Sequence, residues 1–224
     1  MFEPQKRIAG YRHLMPDLRG FGAAPAPDDD MSMASYARDL LDVIDEDRFV
    51  LAGFSMGGYI AMELLRQVPE RIAALLLLDT RETPDTDEGR ANRYKQADDV
   101  AKNGIGSVVE AMLPKMVVQE DFRADVRRIM ESASPQGVIA ALKAMATRPD
   151  SAETLRNATM PAFVIVGDRD EITPLRDAER MVSLLPHAEM APIARAGHMA
   201  NFEASEQVNN LIAAFLGRAL HHRG

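Results

Sequence analysis

Gly53-Phe54-Ser55-Met56-Gly57 sets a serine between two glycines at the spacing of a G-x-S-x-G turn. The apolar run Phe49–Ala52 precedes it, and Ile60, Leu64 and Leu65 follow at helical spacing, so the pentapeptide reads as a strand-to-helix bend. A bend that sharp strains its central residue, and small residues two before and two after it avoid collision. Strain there lifts the hydroxyl out of the sheet, at the strand ends where open α/β sheets place ligands. The free N–H groups of the following helix then face any developing oxyanion. A glycine-rich turn with an incidental serine would show the same five letters. The strand and helix around them favour a nucleophile.

A serine hydroxyl needs a base, and the base needs an orienting carboxylate. In Val164-Ile165-Val166-Gly167-Asp168-Arg169-Asp170 two acids stand just past a strand end. Ala196-Gly197-His198-Met199 sets a histidine between the last strand and the last helix. His13 lies in or beside an extended run, His187 follows Pro186 in a turn, and His221 and His222 sit in the tail, so His198 is the better base. Asp79 also closes a buried strand, where a strand-end or helix-cap role is the better reading. Spacing alone does not choose between Asp168 and Asp170.

The elements that must hold these residues alternate. Arg12–Met15 is a short extended run stopped by Pro16. Ser32 or Ser35 caps a helix over Tyr36–Ile44. Ile72–Leu78 is apolar without interruption, as in a parallel strand buried on both faces. From about residue 81 to 155 strand-like runs cease, and charges and methionines at helical spacing replace them, broken near Asn103–Gly106 and Ser134–Gly137. That stretch reads as a helical insertion. Strand rhythm returns at Ala162–Val166, then a helix over Leu175–Leu185, a weak strand over Glu189–Ile193, and a last helix striped by Val208, Leu211, Ile212, Phe215 and Leu216. The fold class is therefore α/β, a mostly parallel sheet covered on both faces. Residues 1–80 and 156–224 form its core, and 81–155 the insertion.

With 224 residues, the chain suits one domain with an insertion and needs no metal or disulfide staple. It has no cysteine, which excludes a thiol nucleophile and a thiolate metal site. A formal charge of −8 argues against a nucleic-acid partner. No apolar run approaches membrane-spanning length, and no signal peptide is visible, so a cytoplasmic location without membrane partner is expected. No cofactor motif stands out. Asp28-Asp29-Asp30 lacks the EF-hand spacing of a calcium loop and reads as a solvated turn, so no metal is expected.

Taken together these motifs resemble the α/β-hydrolase superfamily, in particular its small-cap serine esterases and the 3-oxoadipate enol-lactonase-like group. The likeness covers nearly the whole chain. Met15-Pro16-Asp17-Leu18-Arg19-Gly20-Phe21-Gly22 looks like the turn after the family's fourth strand, and Gly53–Gly58 like its nucleophile elbow. Gly167-Asp168-Arg169-Asp170-Glu171-Ile172-Thr173-Pro174 looks like its acid loop, and on that likeness Asp170 is the acid. Gly197-His198-Met199 with Glu203 looks like its histidine loop. The resemblance implies a Ser55–His198–Asp170 triad cleaving small esters or lactones through an acyl-enzyme, with the Met56 amide as one oxyanion donor.

The family also has three earlier strands, the third ending in a His-Gly loop that gives the second oxyanion donor. The present sequence begins just before the fourth and has no such pair. Three expectations follow: Arg12–Met15 moves over to pair with Phe49–Ala52, a second copy fills the gap as a homodimer, or the start is displaced. Arg19, Phe21 and the amides of Gly20-Phe21-Gly22 are candidate stand-ins for the donor. Phe54, Phe21, Met112 and Met199 are the expected substrate-contacting side chains, with methionine suited to variable apolar groups; helix packing explains Met112 equally well. A catalytically silent fragment or binding protein, keeping the elbow without a working oxyanion site, is the alternative.

Overall fold

The computed structural model describes residues 1–27 and 31–221. The Asp28–Asp30 run and His222 lie outside the described residues. Four parallel strands, β1 (Phe49–Phe54), β2 (Ile72–Leu78), β3 (Ala162–Gly167) and β4 (Ala188–Ile193), lie side by side in that order. Parallel neighbours need a crossover, and the helices supply it. Helix α1 (Met33–Leu41) precedes β1, α2 (Met56–Gln67) joins β1 to β2, and α8 (Leu175–Leu184) joins β3 to β4. Between β2 and β3 run α3 (Asp87–Asn103), α4 (Gly106–Met116), α5 (Arg123–Glu131), α6 (Pro135–Ala146) and α7 (Ala152–Arg156). After β4 come α9 (Ala200–Glu203) and α10 (Ser205–His221).

The uninterrupted apolar run of β2 is explained by its two faces. Leu75 and Leu77 pack with α1, α2 and α8, whereas Ala74, Leu76 and Leu78 pack with α4 and α10. On that second face Phe163 of β3 stacks on Phe215 of α10 with ring centroids 5.0 Å apart. Burying each such side chain removes apolar area worth about 1.5–3 kcal/mol from water, so the sheet is held from both sides.

Ser32, not Ser35, is the cap of α1. Its hydroxyl accepts the Ser35 amide (3.1 Å), and the Ser35 hydroxyl accepts the Ser32 amide (2.7 Å). The helix ends at Leu41, short of Ile44. Ser134 likewise caps α6, with Pro135 in its first turn. Where the chain leaves and rejoins the sheet the two connections are tied: Asp85 pairs with Arg93 and with Arg148, each at 2.8 Å, and the Ser151 amide donates to Glu82 O (3.0 Å).

Arg12–Met15 forms no strand, which corrects the expectation from its composition. Leu14 is exposed, the Arg12 guanidinium pairs with Asp45 and Glu46, and the His13 ring bonds Ile8 O (2.8 Å). An extended run with no neighbouring ladder satisfies its polar groups elsewhere. It therefore does not pair with Phe49–Ala52, and β1 borders the sheet.

Candidate active site

Ser55 lies between β1 and α2, at the N-cap of the helix, with φ 50°, ψ −117°. Side chains rarely tolerate that region, at a cost of about 1–3 kcal/mol, and the neighbours hold it there. The Ser55 amide donates to Leu78 O (3.0 Å), and its carbonyl accepts from the Gly58 amide (2.9 Å) and the Thr80 hydroxyl (2.8 Å). Steric demand falls on Gly53 and Gly58. A Cβ on Gly53 would lie 2.4 Å from Gly57 O, and one on Gly58 would lie 2.3 Å from Thr80 Oγ1, whereas one on Gly57 would meet nothing within 4 Å. Among the described residues Ser55, Asp79 and Arg195 are the non-glycine positions with positive φ, and they follow β1, β2 and β4. Backbone strain is thus gathered at the carboxyl ends of the strands.

His198 meets Ser55 there. Its Nε2 lies 2.8 Å from Ser55 Oγ and its Nδ1 lies 2.8 Å from Asp170 Oδ2. An ionised carboxylate only accepts, so Nδ1 carries the proton and the Nε2 lone pair faces the serine O–H. The ring is 1% exposed and tilts against Phe54, centroids 5.3 Å apart.

Asp170 is fixed by its own turn. Its Oδ1 accepts the amides of Ile172 (2.8 Å) and Thr173 (3.0 Å), and its Oδ2 accepts the Thr173 hydroxyl (2.5 Å) as well as the ring. Burial pushes this carboxyl up, but the His198 ring and the Thr173 donors outweigh it, and the group sits below the ordinary carboxylate range. Asp168, the rival in sequence, accepts the Arg195 amide instead (2.7 Å) and braces the turn before the histidine.

Two further carboxylates bind these loops together. Asp79 accepts the Gly167 amide (2.8 Å) and the Ala200 amide at the start of α9 (3.3 Å), the strand-end and helix-cap role expected of it. Desolvation raises its carboxyl well above the ordinary range, although the Gly167 hydrogen bond opposes this. Glu203 accepts three amides: Gly197 (2.6 Å), Val118 (2.8 Å) and Gln119 (2.7 Å). The sequence signal for Glu203 was its place after the histidine. Its partners across the chain left no local mark.

Met56 is the first residue of α2, so its amide is among those that no helical carbonyl can reach. Its side chain packs on the α1–α2–α8 side of the sheet. Met199 is fully buried in the opposite cluster, where Met112 packs half-buried from α4. Phe21 is half-buried on a turn docked to α6: the Ser134 hydroxyl donates to Gly20 O (2.8 Å), and a Cβ on Gly20 would come 2.3 Å from Gly137 Cα. Of the stand-in donors of that turn, the Gly20 and Phe21 amides and Arg19 are engaged. The Gly20 amide bonds Pro25 O (2.8 Å), the Phe21 amide bonds Leu18 O (2.9 Å), and Arg19 grips Asp39 through Nε (2.6 Å) and Nη2 (2.7 Å).

A parallel sheet whose carboxyl edge brings together a serine elbow, an acid and an imidazole, in that chain order, defines an α/β-hydrolase architecture. A family model described as "alpha/beta hydrolase fold" matches residues 3–205, and the chain belongs to that family. Among solved structures, an esterase from Thermogutta terrifontis is 35% identical with a TM-score of 0.88, covering 91% of this chain and 79% of that one. Among curated proteins, a pimeloyl-[acyl-carrier protein] methyl ester esterase from Legionella pneumophila is 30% identical over 84% of this chain and 77% of its own length. A 2-hydroxy-6-oxononadienedioate/2-hydroxy-6-oxononatrienedioate hydrolase from Pseudomonas is 27% identical over 94% of this chain and 78% of its own. The enol-lactonase of Burkholderia xenovorans shares the fold at 21% identity, TM-score 0.81, over 90% of this chain and 79% of that one. No helix among the described residues is long and apolar enough to cross a membrane.

Proposed function

We propose that this chain is a serine hydrolase of small carboxylic esters or lactones, with Ser55 as nucleophile, His198 as base and Asp170 as the acid that orients it. The continuous chain Ser55 Oγ–His198 Nε2 and His198 Nδ1–Asp170 Oδ2, both links 2.8 Å, carries the reading. The esterase names of relatives at 30–35% identity support it.

Ser55 Oγ attacks the ester carbonyl carbon as its proton passes to His198 Nε2. The carbonyl oxygen becomes an oxyanion facing the Met56 amide at the positive end of α2. Collapse breaks the bond to the leaving oxygen, which takes the proton back from His198, and leaves an acyl-serine. Water then gives a proton to His198 and attacks the acyl carbon, releasing the acid and restoring Ser55. In a lactone both products are one molecule. Residues 81–155 act as the cap over this site, with Phe54, Met112 and Phe21 contributing its apolar contacts, while Met199 packs wholly inside the core.

One observation favours the second reading, a silent or weakly active relative. The Gly20 and Phe21 amides and Arg19 already have partners, and loss of one oxyanion donor costs about 10²–10³ in turnover. Hydrolysis of a short-chain p-nitrophenyl ester that disappears in Ser55→Ala and in His198→Ala supports the hydrolase; wild-type protein without turnover supports the silent reading. The bordering position of β1 leaves room for a homodimer paired along that strand. Light scattering at twice the 24.7 kDa chain mass supports it, and a monomer removes it.

A further inference from the structure

The loop that carries His198 is held at three amides, one before the histidine and two after it, by three different residues. The Gly197 amide donates to Glu203 Oε2 (2.6 Å), the Met199 amide to Met116 O at the end of α4 (2.9 Å), and the Ala200 amide to Asp79 Oδ2 (3.3 Å). Of these clamps Asp79 also holds the Gly167 amide at the end of β3, and Glu203 reaches towards the helical stretch. Its other oxygen accepts the Val118 and Gln119 amides, which lie between α4 and α5 in the stretch that separates β2 from β3. Glu203 is 7% exposed, so its three charge-assisted bonds form largely away from competing water. Packing leaves no slack: a Cβ on Gly197 would sit 3.2 Å from both Glu203 Oε2 and Val118 Cγ1.

We propose that Glu203 is a positioning residue for His198, fixing the base through the Gly197 amide and coupling it to the α4–α5 connection. The proposal rests on the triad reading above. Any shift of that connection moves the anchor of the residue preceding the base, so substrate contacts in the helical stretch and the angle of the imidazole are linked. Misplacing a reacting group by about 1 Å can cost about 10²-fold in rate, which makes a carboxylate distant from the substrate relevant to turnover.

Steady-state kinetics of Glu203→Gln tests this. Glutamine keeps the shape, but its NH2 must face either the Gly197 amide or the Val118 and Gln119 pair, donor against donor. The expected result is a kcat lower by about 10- to 100-fold per mole of folded protein, with KM little changed. Gln119→Pro, which removes an amide from the far side of the clamp, should lower kcat in the same direction, with Gln119→Ala as the side-chain reference. The double variant should be no worse than the poorer single one. Unaltered kcat in folded Glu203→Gln and in Gln119→Pro overturns the role of Glu203 while leaving the triad untouched. If Glu203→Gln does not fold, Gln119→Pro decides by the same criterion. Wild-type protein that neither hydrolyses ester nor reacts with a fluorophosphonate overturns the triad reading, and this proposal with it.

Discussion

The hydroxyl of Thr80 donates to the carbonyl oxygen of Ser55 across 2.8 Å, so the residue that follows the buried end of β2 and Asp79 steadies the strained turn at the end of β1. Thr80→Val keeps the shape and loses the bond. Ser55 O retains the Gly58 amide, so the expected cost is about 0.5–1.5 kcal/mol in urea unfolding, with a fall in ester turnover exceeding that stability loss. Unchanged turnover would show that the elbow keeps its form without Thr80.

Gly167 and Gly197 bring the acid loop and the histidine loop into backbone contact: a Cβ on Gly167 would lie 2.1 Å from Gly197 O. Gly167→Ala must part the two loops. Thermal unfolding should show a loss of about 1–3 kcal/mol, and kcat should fall by about 10²-fold as Asp170 and His198 separate. A variant as active as wild type would contradict the close approach.

Asp170 sits below the ordinary carboxylate value of 3.8. A depressed carboxyl adds stability above its unfolded value and loses it as pH falls through the folded one. The stability advantage of wild type over Asp170→Asn should therefore hold at neutral pH and shrink only below about pH 4, followed by acid titration of circular dichroism. At neutral pH Asp170→Asn should lower kcat by about 10⁴-fold, because an amide no longer holds the imidazole in the required tautomer.

Asp79 carries the opposite sign. Its carboxyl is raised above 3.8, so it favours folding while protonated, and that contribution is lost as pH rises through the folded value. The stability of wild type relative to Asp79→Asn should decline as pH increases from about 4 towards alkaline conditions, measured by urea unfolding. A gap that widens with pH would show that the two amide bonds, from Gly167 and Ala200, outweigh burial.

The strands and the elbow were legible because their causes are local. A parallel strand buried on both faces must be apolar at every position, as β2 is, and Gly53 marks a turn that a side chain cannot make. Asp168 and Asp170 look alike in sequence because both follow β3. They part only in space, where one meets the Arg195 amide and the other the His198 ring. Arg12–Met15 carried strand-like residues but found no ladder, and strand identity depends on that neighbour. Glu203 stands within reach of Gly197 in sequence, but its other two amides come from 84 and 85 residues away, a distance over which sequence pattern carries no signal.

Peptide mapping by mass spectrometry after treatment with a fluorophosphonate tests the central claim most directly. The adduct should fall on Ser55, vanish in Ser55→Ala and form far more slowly in His198→Ala. An unmodified Ser55 in folded wild-type protein, or an adduct formed at the same rate without His198, would contradict it.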